Sequence, residues 1–179
     1  MKYYELRVAG LIRKLPIIKI KPGLSIASFV ILGDCEMVTA AAPLIADRLP
    51  EIDYIMTAEA KGIPLVNEVC RILGHPRYIV ARKSVKSYMD DPLEIEVESI
   101  TTQRIQRLYL DKNDTERIRG KRVAILDDVI SSGESLKALE KLAEKAGAEV
   151  VVKAAILAEG DAAERDDIIY LEKLPLFYD

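Results

Sequence analysis

One histidine and two cysteines in 179 residues leave this chain short of soft metal ligands. Cys35 and Cys70 have no CxxC spacing and His75 stands alone, so a structural zinc site is excluded. No stretch approaches the roughly 18 uninterrupted apolar residues of a membrane span. The opening MKYYELRVAGLIRK alternates polar and apolar residues and lacks the apolar centre of a secretory leader. The expected location is therefore cytoplasmic, with both thiols reduced and packed as small hydrophobic groups. A basic excess is missing too: the net charge of -3 argues against a general nucleic-acid binder. What is present, 50% hydrophobic and 31% charged residues without repeats or low-complexity tracts, predicts one globular domain.

Short alternating strands are expected from Tyr4 to Ile20, broken at Lys21-Pro22-Gly23. Asp34 reads as the N-cap of a helix through Leu49, with Met37, Ala41, Leu44, Ile45 and Leu49 on its apolar side. Tyr54 to Thr57 reads as a buried strand, Pro64 to Leu73 as a helix closed by Gly74, and Tyr78 to Ala81 as another apolar run. His75 falls in the turn. From Arg82 to Asp114 the pattern becomes polar, and a long mobile excursion is expected, with alternating segments at Glu94 to Glu98 and Leu108 to Leu110. The chain then returns to a strand at Val123 to Leu126, a helix from Gly133 to Ala146, and a strand from Val150 to Leu157. Strands alternating with helices imply an α/β fold with a mainly parallel sheet covered on both faces.

The most informative segment is Val123 to Ser135. Asp127 and Asp128 stand where a buried strand emerges at its carboxyl end, the edge at which open α/β sheets bind ligands. Val129, Ile130, Ser131, Ser132, Gly133, Glu134 and Ser135 then lead into a helix whose first N–H groups lack partners and favour a phosphate. Adjacent carboxylates can accept hydrogen bonds from the vicinal hydroxyls of a ribose beside that phosphate. Glu134 would oppose the phosphate, but Ser131-x-x-Glu134 matches a capping box that turns the carboxylate away. The same pattern also describes a strand, a polar turn and a well-capped helix with Leu136, Leu139, Leu142 and Ala146 inward.

Two more strand ends carry cations. After Thr57 come Ala58, Glu59, Ala60, Lys61 and Gly62, in which Gly62 permits close backbone approach and Lys61 supplies charge. After Val80 come Ala81, Arg82, Lys83, Ser84, Val85 and Lys86, of which Lys83 and Lys86 are the candidates for an anion and Arg82 reads equally as a structural ion-pair partner. Taken singly these are a turn and a solvated face. Taken with the aspartates, three strand ends supply polar groups to one crevice.

These three segments resemble the type I phosphoribosyltransferase family in its purine branch. The Asp-Asp strand and small-residue loop resemble its phosphoribosyl-pyrophosphate signature, although Glu134 departs from it. Ala60-Lys61-Gly62 is similar to the pyrophosphate loop of adenine enzymes, with Lys61 in place of an arginine, and Arg82-Lys83 to their Val-Arg-Lys segment. Ser99 to Arg104 and Glu159-Gly160 look more like xanthine enzymes and purine repressors.

The resemblance implies the family's parallel-sheet fold, with residues 1–33 as a small hood, 34–179 as the core, and a flexible loop at about 84–106. It implies transfer of the 5-phosphoribosyl group from phosphoribosyl pyrophosphate to a purine base, adenine favoured, with pyrophosphate released. Asp127, Asp128 and Lys83 would be catalytic, residues 129–135 would hold the 5'-phosphate, and Ala60, Lys61, Gly62, Arg82, Lys83 and Lys86 would meet pyrophosphate. Mg2+ would be held mainly by the substrate, with no direct protein ligand expected. Base selection would fall to Leu15 to Ile20 and Leu174 to Phe177. The family's Glu-Tyr-Gly is absent; Glu98 is the nearest substitute, and Glu94, Glu96 and Glu98 also read as the solvent side of a strand. The alternative function is a non-catalytic sensor of the same donor. A homodimer is also expected, because Met37, Val38, Val66 and Val69 suggest apolar surface beyond what one sheet face needs.

Overall fold

The computed structural model describes residues 2–98 and 105–178, with Glu98 described by its backbone alone. Its centre is a five-stranded sheet of β4 (Tyr54–Ala58), β5 (Ile79–Ala81), β8 (Arg122–Ile130), β9 (Glu149–Glu159) and β10 (Ile169–Leu174). The order is β10-β9-β8-β4-β5 and every neighbouring pair is parallel. Successive side chains of a strand point to opposite faces, and here both faces are buried. Ile55, Ala124 and Leu126 join one apolar cluster, while Met56, Val123 and Ile125 join the other.

The first cluster is covered by α1 (Cys35–Ala46) and α2 (Ile63–Leu73), the second by α4 (Glu134–Lys145) and by Ile118 of α3 (Lys112–Ile118). Helix α4 turns Leu136, Leu139 and Leu142 inward, each burial stabilising by roughly 1.5–3 kcal/mol. Helix α1 begins as its sequence predicts: the Asp34 carboxylate accepts the Met37 N–H at 3.0 Å. The same carboxylate receives Arg13 of β2 (Leu11–Lys21) at 2.7 and 3.0 Å, which keeps its pKa below the usual range. Helix α2 closes on Gly74 at φ 73°, with the His75 N–H donating to the Cys70 carbonyl in the turn expected there.

The amino-terminal strands β1 (Tyr3–Val8), β2 and β3 (Leu24–Ala27) form an antiparallel sheet that the last strand, β11 (Leu176–Tyr178), completes beside β3. The two segments expected to select a base thus share one sheet. Leu6, Val8, Leu15 and Phe29 enter the same core as α1 and α2.

The two alternating segments of the excursion from Arg82 to Asp114 form an antiparallel hairpin of β6 (Leu93–Glu98) and β7 (Ile105–Leu110), followed by α3. Ile95, Leu108 and Leu110 bury against the α4 side of the sheet, so apolar alternation anchors the base of the excursion. Residues 99–104, which carry the xanthine-enzyme likeness, lie outside the described residues. Leu44 is exposed rather than on the inner side of α1. Met37, Val66 and Val69 are buried in the first core cluster and supply no surface for a partner, while Val38 packs against it only in part. Cys70 is buried, and burial pushes its thiol up to about 11, whereas Cys35 is exposed instead of packed.

Candidate functional site

Strand β8 does not stop before its aspartates but continues to Ile130, because Asp127, Val129 and Ile130 remain in register with β9. Both carboxylates therefore project from a rigid strand. Asp128 is only 2% exposed, and its Oδ2 has no hydrogen-bond partner among the described residues. The Lys61 ammonium lies 3.3 Å from that oxygen, an ion-pair distance without hydrogen-bond geometry. Asp127 Oδ1 accepts the Asp128 N–H at 2.8 Å. Burial, and then the neighbouring Asp128 carboxylate, raise the Asp127 pKa well above the usual carboxylate range.

The following turn differs from the expected capping box. Gly133, at φ 79°, is the N-cap of α4 and no side chain caps it. The Ser131 hydroxyl instead donates to Glu159 Oε2 at 2.7 Å, and the Glu134 N–H donates to the Ser132 hydroxyl at 3.5 Å. With Gly133 in the left-handed conformation as N-cap, the helix starts two residues later than the box requires. Among the described residues no side chain caps the next two amides, those of Ser135 and Leu136.

On the neighbouring strand, Gly62 is needed for proximity. A Cβ there would collide with Thr57 Oγ1 and stand 3.2 Å from Asp127 Oδ1 and 3.3 Å from the Leu126 carbonyl. The loop is thus pressed onto β4 and β8, which brings Lys61 over Asp128. The Glu59–Ala60 peptide in this loop is cis. Glu59 Oε2 accepts Arg82 Nε at 2.8 Å and its Oε1 accepts the Lys83 backbone N–H at 2.6 Å.

These elements enclose a cavity of roughly 430 Å3 at the carboxyl edge of the sheet. Of the residues singled out from sequence, Ala60, Lys61, Lys83, Asp127, Asp128, Val129, Ile130, Ser131, Ser132, Gly133 and Ser135 line it. Gly62 lies under the loop, Arg82 is engaged by Glu59, the Lys86 ammonium donates to Ser84 at 2.7 Å, and Glu134 is not in the wall. Sequence reasoning missed Glu59, Gln106 and Leu108 as wall residues and Glu159 as the partner of Ser131. Glu59 had a signal in its place two residues before Lys61. Gln106 and Leu108 come from β7 and had none. Glu94 and Glu96 are exposed, as an alternating strand requires, and pair with Arg107.

Among the described residues no three acidic, histidine or cysteine side chains converge into a metal cage. Asp127, with the unpartnered oxygen of Asp128, offers hard donors on one side only, which suits a divalent ion that completes its shell from a phosphorylated ligand.

Residues 36–174 match the family model described as phosphoribosyl transferase domain. The hypoxanthine/guanine phosphoribosyltransferase of Methanococcus voltae is 40% identical over 114 residues, 64% of this chain and 57% of that protein. The xanthine phosphoribosyltransferase of an Exiguobacterium species is 29% identical over 119 residues, 66% of this chain and 61% of that one. The matched part thus spans about three fifths of these relatives. Among solved structures, adenine phosphoribosyltransferase from Thermoanaerobacter pseudethanolicus superposes with a TM-score of 0.73 at 23% identity, covering 89% of this chain and 95% of that one. The Giardia lamblia enzyme complexed with 9-deazaadenine gives 0.69 at 18%, covering 89% and 93%. At these identities the structures show a common fold.

Proposed function

The chain belongs to the phosphoribosyltransferase family and has the type I fold, and from that premise we propose that it transfers a 5-phosphoribosyl group from phosphoribosyl pyrophosphate to a purine base. The observation that carries the proposal is the convergence of Asp127 and Asp128, the turn that opens α4, Lys61 and Lys83 on one cavity. The amides of residues 131–135 bind the 5'-phosphate, where the helix dipole favours an anion. Asp127 and Asp128 accept the ribose hydroxyls and fix C1'. Lys61, beside Asp128, and Lys83 line the same cavity and receive the departing pyrophosphate. The donor would carry Mg2+ mainly on its own phosphates, with Asp127 and Asp128 as the nearest hard oxygens, and the ion would neutralise phosphate charge. Catalysis then rests on alignment and charge stabilisation, with no covalent step for the protein.

Hypoxanthine or guanine is placed before adenine, because those names belong to the relatives of higher identity, whereas the adenine names belong to structures that share the fold. A homodimer is retained in the proposal, on exposed Val30, Leu32 and Leu44 in place of the buried residues first considered; light scattering at micromolar concentration would read a monomer mass if it is wrong. A cytoplasmic setting also remains part of the proposal; among the described residues no helix is long and apolar enough to cross a membrane.

The test is pyrophosphate release from donor and Mg2+ with hypoxanthine, guanine, xanthine, adenine and, as a pyrimidine control, orotate. Release with a purine alone is expected. Donor binding without release with any base would favour the non-catalytic sensor.

A further inference from the structure

We infer that Glu59 is a positioning residue of this site, a carboxylate clasp that joins the β4 loop to the end of β5 and fixes where Lys83 stands. The inference rests on the proposed pyrophosphate end of the cavity. A glutamate in the wall of an anion site is unfavourable unless its charge is matched. Here both oxygens are occupied, one by the Lys83 N–H at 2.6 Å and the other by Arg82 Nε at 2.8 Å. Arg82 is in turn held elsewhere. Its Nη1 donates to the Tyr88 hydroxyl at 2.6 Å, and its guanidinium carbon lies 6.0 Å from the centre of the Tyr88 ring. Its backbone exchanges two hydrogen bonds of 2.9 Å with Tyr109 of β7.

Two adjacent cations are thereby given different tasks. The guanidinium of Arg82 is spent on Glu59 and Tyr88, and Arg82 does not line the cavity. Lys83, tethered by its backbone to Glu59, does line it, and its ammonium has no partner among the described residues. Because Arg82 is also the point where β5 meets the hairpin, one carboxylate sets the β4 loop, the Lys83 backbone and the base of the hairpin together.

The experiment measures binding of inorganic pyrophosphate and of ribose 5-phosphate by calorimetry, with Mg2+ present, for wild type, Glu59→Ala, Glu59→Gln, Lys83→Met and Glu59→Ala with Lys83→Met. Glu59→Ala should weaken pyrophosphate about tenfold and leave ribose 5-phosphate within twofold. Glu59→Gln keeps an oxygen for the Lys83 N–H and should lose about threefold, and it carries the test if circular dichroism shows Glu59→Ala to be unfolded. With Lys83 already replaced, removing Glu59 should add little, since both changes act through one contact. Unchanged pyrophosphate binding in both Glu59 variants overturns the clasp, as do losses that simply add or an equal loss for ribose 5-phosphate. Wild type that binds ribose 5-phosphate but no pyrophosphate overturns it as well. Clasp behaviour as expected in a protein that turns over no purine base supports the clasp and defeats the transferase reading alone.

Discussion

Asp127 and Asp128 on one wall of the cavity, and Glu59 on another, carry the same chemical group in opposite circumstances. The aspartates are adjacent and one oxygen of the pair is buried without a hydrogen bond. Among the described residues the cation paired with them is Lys61, 3.3 Å from Asp128 Oδ2. Glu59 has both oxygens satisfied at 2.6 and 2.8 Å, and the Lys83 N–H with the Arg82 charge holds its pKa below the usual value. Folding leaves the first pair frustrated and the second group content. A buried polar group without a partner costs on the order of 1–3 kcal/mol, so its persistence points to a ligand, whereas a saturated carboxylate points to support. The likeness of chemistry hides a division of labour that only the partners reveal.

The largest effect expected is from Asp127→Asn combined with Asp128→Asn. Two charge-assisted hydrogen bonds to the donor would be lost, so affinity for phosphoribosyl pyrophosphate should fall by about 100-fold. The thermal midpoint should hold or rise, since the repulsion between the carboxylates is removed. Unchanged affinity in a calorimetric titration would remove the aspartates from the site and end the comparison.

Gly62→Ala probes the packing that joins the two walls. The added methyl meets Thr57 Oγ1 and crowds Asp127, and overpacking of this kind costs about 1–3 kcal/mol. Urea unfolding should show that loss; a neutral result would mean that the loop is free to lift from β8.

A pH series sharpens the contrast through its sign. Asp127 has a raised pKa, so the folded state holds its proton longer than the unfolded chain does. Its contribution is fully present below the ordinary carboxylate value and is lost as pH rises through the raised one. Glu59 has a depressed pKa, so its contribution is present above the ordinary value and is lost as pH falls through the lowered one. Asp127→Asn should therefore flatten stability on the neutral side and Glu59→Gln on the acid side. If both variants alter the same limb, the two environments are not opposed. The smallest effect expected is from Tyr88→Phe, which removes one exposed hydroxyl from Arg82 and should weaken pyrophosphate by less than about threefold.

The part of the cavity wall from Asp127 to Ser135 was legible because it is continuous in the chain. Asp127 to Ser135 is one strand, one turn and one helix start, and each follows from neighbours a few residues away. Even there the capping box failed, because Ser131 finds its partner 28 residues on, at Glu159. The wall built from the ends of β4 and β5 was half legible. Charge at strand ends marks Lys61 and Lys83, whereas the two readings open for Arg82 are decided by its contact with Glu59, 23 residues earlier. Apolar residues on α1 and α2 were mistaken for surplus surface, since helical periodicity does not tell how many faces a neighbour will cover.

By itself the sequence determined the alternation of strands and helices, the parallel sheet and the ligand-binding edge, since apolar period, caps and glycine conformations act over a few residues. Tertiary structure alone decided that β11 completes the amino-terminal sheet, that β7 brings Gln106 and Leu108 to the cavity, and that Glu59 takes Arg82 while Asp128 keeps a bare oxygen. Hydrogen-bond partners are allotted by proximity in the folded chain, and residues far apart in sequence meet only after the core clusters have closed around them.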